Sequence, residues 1–289
     1  MLSQSLWRSL CVLSYYYIPM FIKVFRFKFL EPFAVEFLTD VFQKTITERE
    51  SSQTRRGDFI DMLIKLRNEA PGPGKFGIDA KSWPSNDCSL IAQAVTFFSA
   101  GFESSASTLA FTLHELAVHG DIQCRLRAEV EDVIRERGGL DYEAVNDMHY
   151  LEAVYPKTSF IHRECVENYV VPETGLLIEK GTPIVIAQYG LHYNSTFFHN
   201  PDRFEPERFN RANLSNIKPC TYLPFGDGLR NCIGQMFGLL IVKIGIIQIL
   251  RNYEVIMNEK SVEPVILSPF PIIQAKYNLN LTFHRLNTD

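Results

Sequence analysis

Hydrophobic residues recur at helical spacing in the first part of the chain. The pattern predicts two surface helices, Val35 to Arg49 and Asp58 to Arg67, with a polar break between them. The tract that follows, Ala70 to Gly77, reads A-P-G-P-G-K-F-G and lacks the spacing and the Ser or Thr of a phosphate-binding P-loop. We therefore interpret it as a plain loop.

A much longer apolar pattern runs from Ser89 to His119. Asn86 or Asp87 can cap this helix, and Gly120 is predicted to end it. Its bulky apolar side chains cannot all lie on one side, so the helix is expected to cross the middle of the domain. Shorter helical segments are predicted after it: Ile122 to Arg137 ending at Gly138-Gly139, Asp141 to Asn146, and Asp147 to Val154, cut off by Pro156.

The pattern changes after Pro156. Short β-rich runs separated by Pro and Gly turns predict hairpins at Tyr169 to Val171, Gly175 to Ile178 and Pro183 to Ala187. A Pro-rich meander, an apolar helix from Ile233 to Leu250 and terminal strands such as Leu279 to Phe283 follow. The predicted fold is mainly α with a small β region (α+β): residues 1–154 are mostly helical and residues 155–289 hold the hairpins.

Composition narrows the function classes. The chain of 289 residues is 46% hydrophobic and 21% charged, as globular proteins are. A formal net charge of -4 gives no general field that would attract nucleic acid, so no nucleic-acid partner is expected. The 6 cysteines include no C-x-x-C pair of the kind that binds zinc, and a reduced compartment is the simpler interpretation.

Residues 9–33 combine apolar, aromatic and basic positions. Ser9 to Ile22 is uncharged, but it contains Pro19 and is too short to span a bilayer. Phenylalanines interleaved with Lys and Arg between positions 21 and 33 suit the segment to a membrane surface. An ordinary core helix with solvated lysines is the alternative, and both interpretations remain open.

The segment with the most specific chemistry is Phe225 to Gly234, F-G-D-G-L-R-N-C-I-G. Cys232 is predicted at the start of a helix, where the dipole and free backbone N–H groups favour a thiolate, a strong ligand for haem iron. Gly226 and Gly228 allow a tight loop whose amides approach the sulfur. Three further residues have expected roles: Arg230 reaches a haem propionate, Gly234 lets the helix lie close to the porphyrin, and Phe225 shields the sulfur from water.

This string resembles the cysteine loop of the cytochrome P450 family, F-x-x-G-x-R-x-C-x-G, at every fixed position. The resemblance implies the cytochrome P450 fold and haem b (iron protoporphyrin IX) as cofactor, with Cys232 as the axial ligand of the iron. A buried free cysteine in a Gly-rich loop is the alternative.

A second resemblance lies on the long helix, where Ala100 to Ser104 read A-G-F-E-S. In the family this segment lies over the open face of the haem. It implies cofactor contacts for Ala100 and Gly101 and catalytic roles for Glu103 and Ser104. Members usually have Thr in place of Ser104, whose hydroxyl is implied to hand protons to dioxygen. Since a mid-helix Gly costs about 1 kcal/mol relative to Ala, Gly101 needs a reason, and close helix packing is the alternative one.

Two more segments are similar to the family. P-E-R-F at Pro206 to Phe209 resembles its meander, in which Arg208 would join a buried network with the Glu and Arg of an E-x-x-R helix. F-I-H-R-E-C at Phe160 to Cys165 is also family-like, and Arg163 in it resembles a second propionate-binding arginine. His162 has no matched role and is interpreted as an ordinary hydrogen-bonding residue.

The E-x-x-R element itself is missing from its expected place. The chain passes from Glu152 straight to Tyr155 and Pro156, and Glu152 is no substitute because its i+3 partner is Tyr155. If Arg208 is buried as in relatives, the lost partners would leave an uncompensated charge that costs on the order of 3 to 5 kcal/mol.

The resemblance covers most of residues 30–289, and the long amino-terminal region of family members, with its membrane anchor, is not recognisable. It therefore implies a partial domain over residues 1–289: the carboxy-terminal half of a microsomal, insect-type enzyme of the cytosolic face of the endoplasmic reticulum membrane. A truncated gene, an alternative transcript or a faulty gene model would each produce it.

The leading functional hypothesis is a haem-dependent monooxygenase that inserts one oxygen atom of dioxygen into a lipophilic small molecule. Its electrons would come from an NADPH-dependent reductase that docks near the cysteine loop. The rival hypothesis is an inactive remnant or a non-catalytic interaction protein, because both the E-x-x-R segment and the first half are missing. A hydrolase is disfavoured because the sequence has no G-x-S-x-G nucleophile motif.

Overall fold

A computed structural model describes residues 32–69, 87–148, 160–210, 212–268 and 273–286, together with the isolated positions Ser14 and Val24. The chain forms two compact units, Met1–Glu103 and Ser104–Asp289. Outside the described ranges lie the loop predicted at Ala70 to Gly77, most of the segment 9–33, and most of the helix predicted at Asp147 to Val154.

The described residues are mainly helical, with three small antiparallel sheets, which confirms the predicted fold class. The helices are α1 (Pro32–Ser52), α2 (Phe59–Glu69), α3 (Asp87–Val118), α4 (Gly120–Arg137), α5 (Tyr142–Asp147), α6 (Gln188–His192) and α7 (Gln235–Asn252). The strands are β1 (Ile161–Glu164), β2 (Tyr169–Val170), β3 (Leu177–Ile178), β4 (Pro183–Ile186), β5 (Tyr253–Met257) and β6 (Leu281–Arg285), and short 3₁₀ turns occupy Pro206–Phe209, Leu214–Asn216 and Gly228–Arg230.

The first unit packs α1 and α2 against the first part of α3. Its buried core consists of Leu38, Ile46, Ile91 and Val95. Arg49, in the last turn of α1, donates to Asp58 at 2.5 Å and to Asp61 at 2.8 Å, which ties α1 to the start of α2. These hydrogen bonds to Arg49 lower the pKa of Asp58 to about 2.

The second unit is built around α7, which packs against the last turns of α3 and against α4, α5 and β5. Apolar side chains from all five elements fill this core: Leu113, Leu116, Leu126, Val130, Val145, Met148, Val242, Ile246, Ile247, Leu250 and Val255. In the part of the chain that the structure describes, α7 is the one helix long and apolar enough to cross a membrane. One face of α7, with Ile246, Ile247 and Leu250, is buried in the core of the second unit.

The boundary between α3 and α4 differs from the prediction. Gly120 was expected to end the long helix, but it begins α4, and the break lies at His119 (φ -111°, ψ 75°). The N–H of His119 still donates to Glu115, while its carbonyl already accepts from the N–H of Gln123 at 3.0 Å. One residue therefore closes one helix and opens the next.

Two buried polar side chains join the core elements. Gln123 on α4 donates to the carbonyls of Leu116 and Val255, at 2.9 and 2.8 Å, and accepts from the N–H of Val255 at 2.9 Å. Lys243 on α7 donates to the carbonyls of Val145 and Met148 at the end of α5, at 3.4 and 3.3 Å. Burying these polar groups is tolerable because each has carbonyl partners.

The predicted hairpins form, with two strands that the pattern did not indicate. β1 pairs with β4, with Ile161 opposite Ile186, and β2 pairs with β3. β5 pairs with β6, with Tyr253 opposite Arg285. The local sequence pattern did not predict β1 and β5, because a strand this short forms by pairing with a strand far along the chain.

Close packing of α7 on α3 leads to a stability prediction. A Cβ placed on Gly245 would lie 3.2 Å from Leu109 Cδ2, whereas one placed on Gly238, on the same helix, would meet no described atom within 4 Å. Gly238→Ala is expected to raise the free energy of unfolding by about 1 kcal/mol through helix propensity. Gly245→Ala should gain less or lose stability, because Leu109 must move. Urea denaturation measures both, and equal stabilisation would contradict the close approach.

Candidate functional site

The cysteine loop, Phe225 to Gly234, forms the tight turn that its glycines predict. Gly226 and Gly228 have φ of 74° and 75°, a left-handed conformation that residues with a Cβ rarely adopt. The N–H of Cys232 donates to the carbonyl of Phe225 at 2.8 Å, and that of Asn231 to Gly228 at 3.1 Å. Two backbone hydrogen bonds therefore close the loop that carries the cysteine.

Cys232 lies just before α7 rather than in its first turn. The helix begins at Gln235 with Gly234 as its N-cap. A Cβ on Gly234 would lie 4.0 Å from the Cys232 Sγ, so the sulfur is beside the helix start and close to the glycine. The N–H groups of the two turn glycines donate within the loop region: that of Gly226 to the Leu223 carbonyl at 3.0 Å and that of Gly228 to Asp227 Oδ1 at 2.7 Å.

The thiol of Cys232 is exposed, and so are the apolar side chains near it in sequence. The carbonyl of Phe225 accepts from the N–H of Cys232, and the shielding of the sulfur by its side chain stays a prediction. A group of exposed, large apolar side chains is unusual on the surface of a soluble protein. Such an apolar patch commonly marks a binding surface. The exposed fractions are 104% for Leu229, 85% for Ile233, 65% for Met236 and 63% for Phe237.

Arg163, one of the two arginines predicted to bind propionates, contacts the backbone of the other, Arg230, in the loop. Arg163, on β1, donates from Nη2 to the carbonyl of Arg230 at 3.2 Å and from Nη1 to the carbonyl of His162 at 2.8 Å. A Cβ on Gly226 would lie 3.9 Å from Arg163 Nη2, so the guanidinium borders the glycine turn. The β1–β4 hairpin thus brings a second cationic group to the cysteine loop.

Residues Ala100 to Ser104 lie within α3, as predicted. Ala100 to Glu103 belong to the first unit and Ser104 begins the second, so their relation to the cysteine loop remains a prediction. A Cβ on Gly101 would meet no atom of the described residues within 4 Å. Close helix packing, the alternative reason for this glycine, therefore finds no support among those residues.

Arg208 has partners close by, contrary to the uncompensated charge expected without E-x-x-R. Its side chain is only 15% exposed and pairs with Glu205 at 3.1 Å. It also donates to the carbonyls of His199 at 2.9 Å and Asn200 at 3.3 Å, and it lies 6.0 Å from the centre of the Phe198 ring. The 3₁₀ turn places residues three apart on one face, so the local Glu205 reaches the guanidinium.

This arrangement predicts unequal costs for two arginines of the second unit. Arg208→Met should lower the free energy of unfolding by about 2 kcal/mol, because Glu205 and two carbonyls lose their donor. Arg125 is 64% exposed and pairs with Glu207, so Arg125→Met should cost less than about 1 kcal/mol. Chemical denaturation of both variants measures the costs, and a neutral Arg208→Met would refute the local network.

Two side chains that the sequence did not indicate hold the start of the loop. His192 Nε2, on α6, accepts from the N–H of Leu223 at 2.8 Å, and Gln188 donates to the Leu223 carbonyl. Burial lowers the pKa of His192 to about 4, which fits its role as an acceptor. The i,i+4 spacing of Gln188 and His192 was the available signal, but it does not identify Leu223 as the partner.

Comparisons with known proteins agree with the loop and the fold. A sequence model of the family "Cytochrome P450" matches residues 2–283. Cytochrome P450 6l1 of Blattella germanica is 40% identical over 272 residues, which are 91% of this chain and 52% of that protein. A probable cytochrome P450 6g2 of Drosophila melanogaster is 36% identical over 283 residues, 93% of this chain and 54% of that protein.

The chain spans about half the length of the curated relatives it matches. The relatives are insect proteins, as the resemblance implied. The family match extends over nearly all of the chain and includes the cysteine loop, the meander and the segment on α3. The chain therefore belongs to the cytochrome P450 family.

Proposed function

We propose that this chain binds haem b through Cys232 Sγ and contributes to a haem-dependent monooxygenase. The observation that carries the proposal is the exposed thiol of the cysteine loop, held beside the start of α7 among exposed apolar side chains. A thiolate is a strong ligand of haem iron, and a flat apolar cofactor would cover such a surface.

The residues present fit this cofactor. Ile233, Met236 and Phe237 supply an apolar surface next to the sulfur, and the open space at Gly238 leaves α7 accessible. The Arg163 guanidinium lies beside the backbone of Arg230 in the loop, and guanidinium groups bind carboxylates such as propionates by charge-assisted hydrogen bonds. Apolar contact and cationic anchoring are both available within the second unit.

The bound haem would supply the activation of dioxygen, by which one oxygen atom enters a lipophilic small molecule. The chain's own residues would prepare that chemistry. Ser104 and Glu103 on α3 are proposed to hold and pass protons, since a hydroxyl and a carboxyl group can relay them. Ala100 and Gly101 are proposed to leave room beside the cofactor. Electrons would come from an NADPH-dependent reductase, at the cytosolic face of the endoplasmic reticulum membrane.

The test is the absorption spectrum of the purified chain, loaded with haem, reduced and treated with carbon monoxide. The proposal predicts the red-shifted Soret band of thiolate-ligated haem and its loss in Cys232→Ala. Cys124→Ala, which removes another exposed thiol, should leave the band intact. A wild-type chain without the band, or a band that survives Cys232→Ala, would refute the proposal.

A second candidate function is a haem-free interaction protein that kept the family's sequence. It is favoured by the sequence from Leu151 to Pro156, which holds no E-x-x-R element. The candidate predicts a folded chain in whose presence added haem keeps the spectrum of free haem and gives no thiolate band. The reduced, carbon monoxide spectrum therefore separates the two functions.

A further inference from the structure

We infer that Gln188 and His192 are positioning residues whose hydrogen bonds to the backbone N–H and carbonyl of Leu223, together called the grip, fix the cysteine loop for haem ligation. The inference rests on the proposed function, because it concerns how Cys232 is presented to the cofactor. Neither residue belongs to the loop.

The grip holds both polar groups of one backbone residue. The N–H of Leu223 donates to His192 Nε2 at 2.8 Å, and the Leu223 carbonyl accepts from Gln188 Nε2. Gln188 is 1% exposed and His192 8% exposed, so both hydrogen bonds form away from water. Burying the amide nitrogen of Gln188 and Nε2 of His192 would be costly without hydrogen bonds, so the contacts with Leu223 offset that cost for these two atoms.

Hydrogen bonds continue from Leu223 to the cysteine. The Leu223 carbonyl also accepts from the N–H of Gly226 at 3.0 Å, which closes the turn that leads into the loop. Within that turn the carbonyl of Phe225 accepts from the N–H of Cys232 at 2.8 Å. The backbone conformation at Leu223 therefore determines the turn, and the turn determines the position of the Cys232 backbone.

Aromatic packing holds the grip in place. The His192 ring lies 4.9 Å from the ring of Tyr222, the neighbour of Leu223, and Tyr222 lies 4.6 Å from Phe209 of the meander. His192 also makes an edge contact with Phe198 at 6.3 Å. The imidazole can thus turn only a little, and its Nε2 stays directed at the Leu223 amide.

Two variants at position 192 separate hydrogen bonding from packing. His192→Phe keeps an aromatic ring but removes the acceptor, whereas His192→Gln offers an amide oxygen in its place. His284→Phe, at an exposed position on β6, is the matched control. Gln188→Met removes the donor to the Leu223 carbonyl and leaves His192 unchanged. It tests the inference if His192→Phe does not fold.

The first readout is residue-resolved amide hydrogen exchange of the haem-free chain. His192→Phe should speed exchange at Leu223, Gly226 and Cys232 on the order of tenfold, the effect of losing one buried hydrogen bond. His192→Gln should restore slow exchange, and His284→Phe should not change it. Gln188→Met should speed exchange at Gly226 and Cys232. Unchanged exchange at Cys232 in both His192→Phe and Gln188→Met would overturn the inference.

The second readout is the reduced, carbon monoxide spectrum of the haem-loaded chain. His192→Phe should convert part of the thiolate band into the band of haem without thiolate ligation, and His192→Gln should recover it. A purely structural role would lower thermal stability without changing the ratio of the two bands. If the wild type lacks the thiolate band, the proposed function fails, while the exchange measurement still decides on the grip.

Discussion

Replacing Cys232 with alanine is expected to lower the affinity of the chain for haem by at least about 100-fold, because outer-shell partners of a metal already account for 10- to 100-fold. The sulfur is the one thiol of the cysteine loop, and the exposed apolar side chains around it would remain. Those contacts alone should support only weak, unligated binding. Titration of haem into the chain, followed by absorption, measures the change.

Controls for this prediction come from the other exposed thiols. Cys124 lies on α4 and Cys220 precedes the loop, and both are free and exposed. Cys124→Ala and Cys220→Ala should bind haem as the wild type does. If Cys220→Ala lost as much affinity as Cys232→Ala, the ligand would have been assigned to the wrong sulfur.

Acidification is expected to remove about 3 kcal/mol of folding free energy through His192 between pH 7 and pH 4. Burial lowers the pKa of this imidazole to about 4, from 6.5 in an unfolded chain. Between those two values the unfolded state binds the proton and the folded state does not. The contribution is therefore fully present above about pH 6.5 and is lost as the pH falls towards 4.

The experiment compares the wild type with His192→Gln in urea denaturation across this pH range. Other histidines and carboxylates titrate in both proteins, so the difference in free energy of unfolding isolates His192. The free energy of unfolding of the wild type should fall by about 3 kcal/mol relative to that of His192→Gln between pH 7 and pH 4. A difference that stays constant with pH would show that the imidazole is not held neutral.

The helices were predictable from sequence because their signals are local. The apolar spacing of α1, α3 and α7 repeats along the chain itself, and Gly138 ends α4 in the left-handed conformation (φ 74°) as predicted. The break at His119 was placed one residue late, because a glycine can begin a helix as well as end one. β1 and β5 depend on distant partners, so no local pattern indicated them.

The residues of the candidate site also divide into those that a local pattern predicts and those that depend on distant partners. The cysteine loop carries its geometry in its own glycines, and Arg163 was identified by resemblance. The sequence did not reveal the grip of Gln188 and His192 on Leu223, since it joins residues more than thirty positions apart in sequence. Arg208 shows the converse, because its expected distant partners are missing and the local Glu205 takes their place.

Because Glu205 pairs with Arg208, the missing E-x-x-R element does not leave this arginine without a partner. Arg208 is nearly buried, and an unpaired charge there would be a serious cost. The carboxylate of Glu205 and the carbonyls of His199 and Asn200 together satisfy the guanidinium. The meander of the second unit is thus held by its own residues, next to the aromatic cluster that holds His192.

X-ray absorption at the iron edge of the haem-loaded chain decides whether sulfur binds the iron, since it reports the atoms bonded to the metal. We expect a sulfur neighbour in the first coordination shell of iron in the wild type and in Cys220→Ala. We expect only nitrogen and oxygen neighbours in Cys232→Ala. A wild-type iron without a sulfur neighbour, or a sulfur that persists in Cys232→Ala, would contradict haem ligation by Cys232.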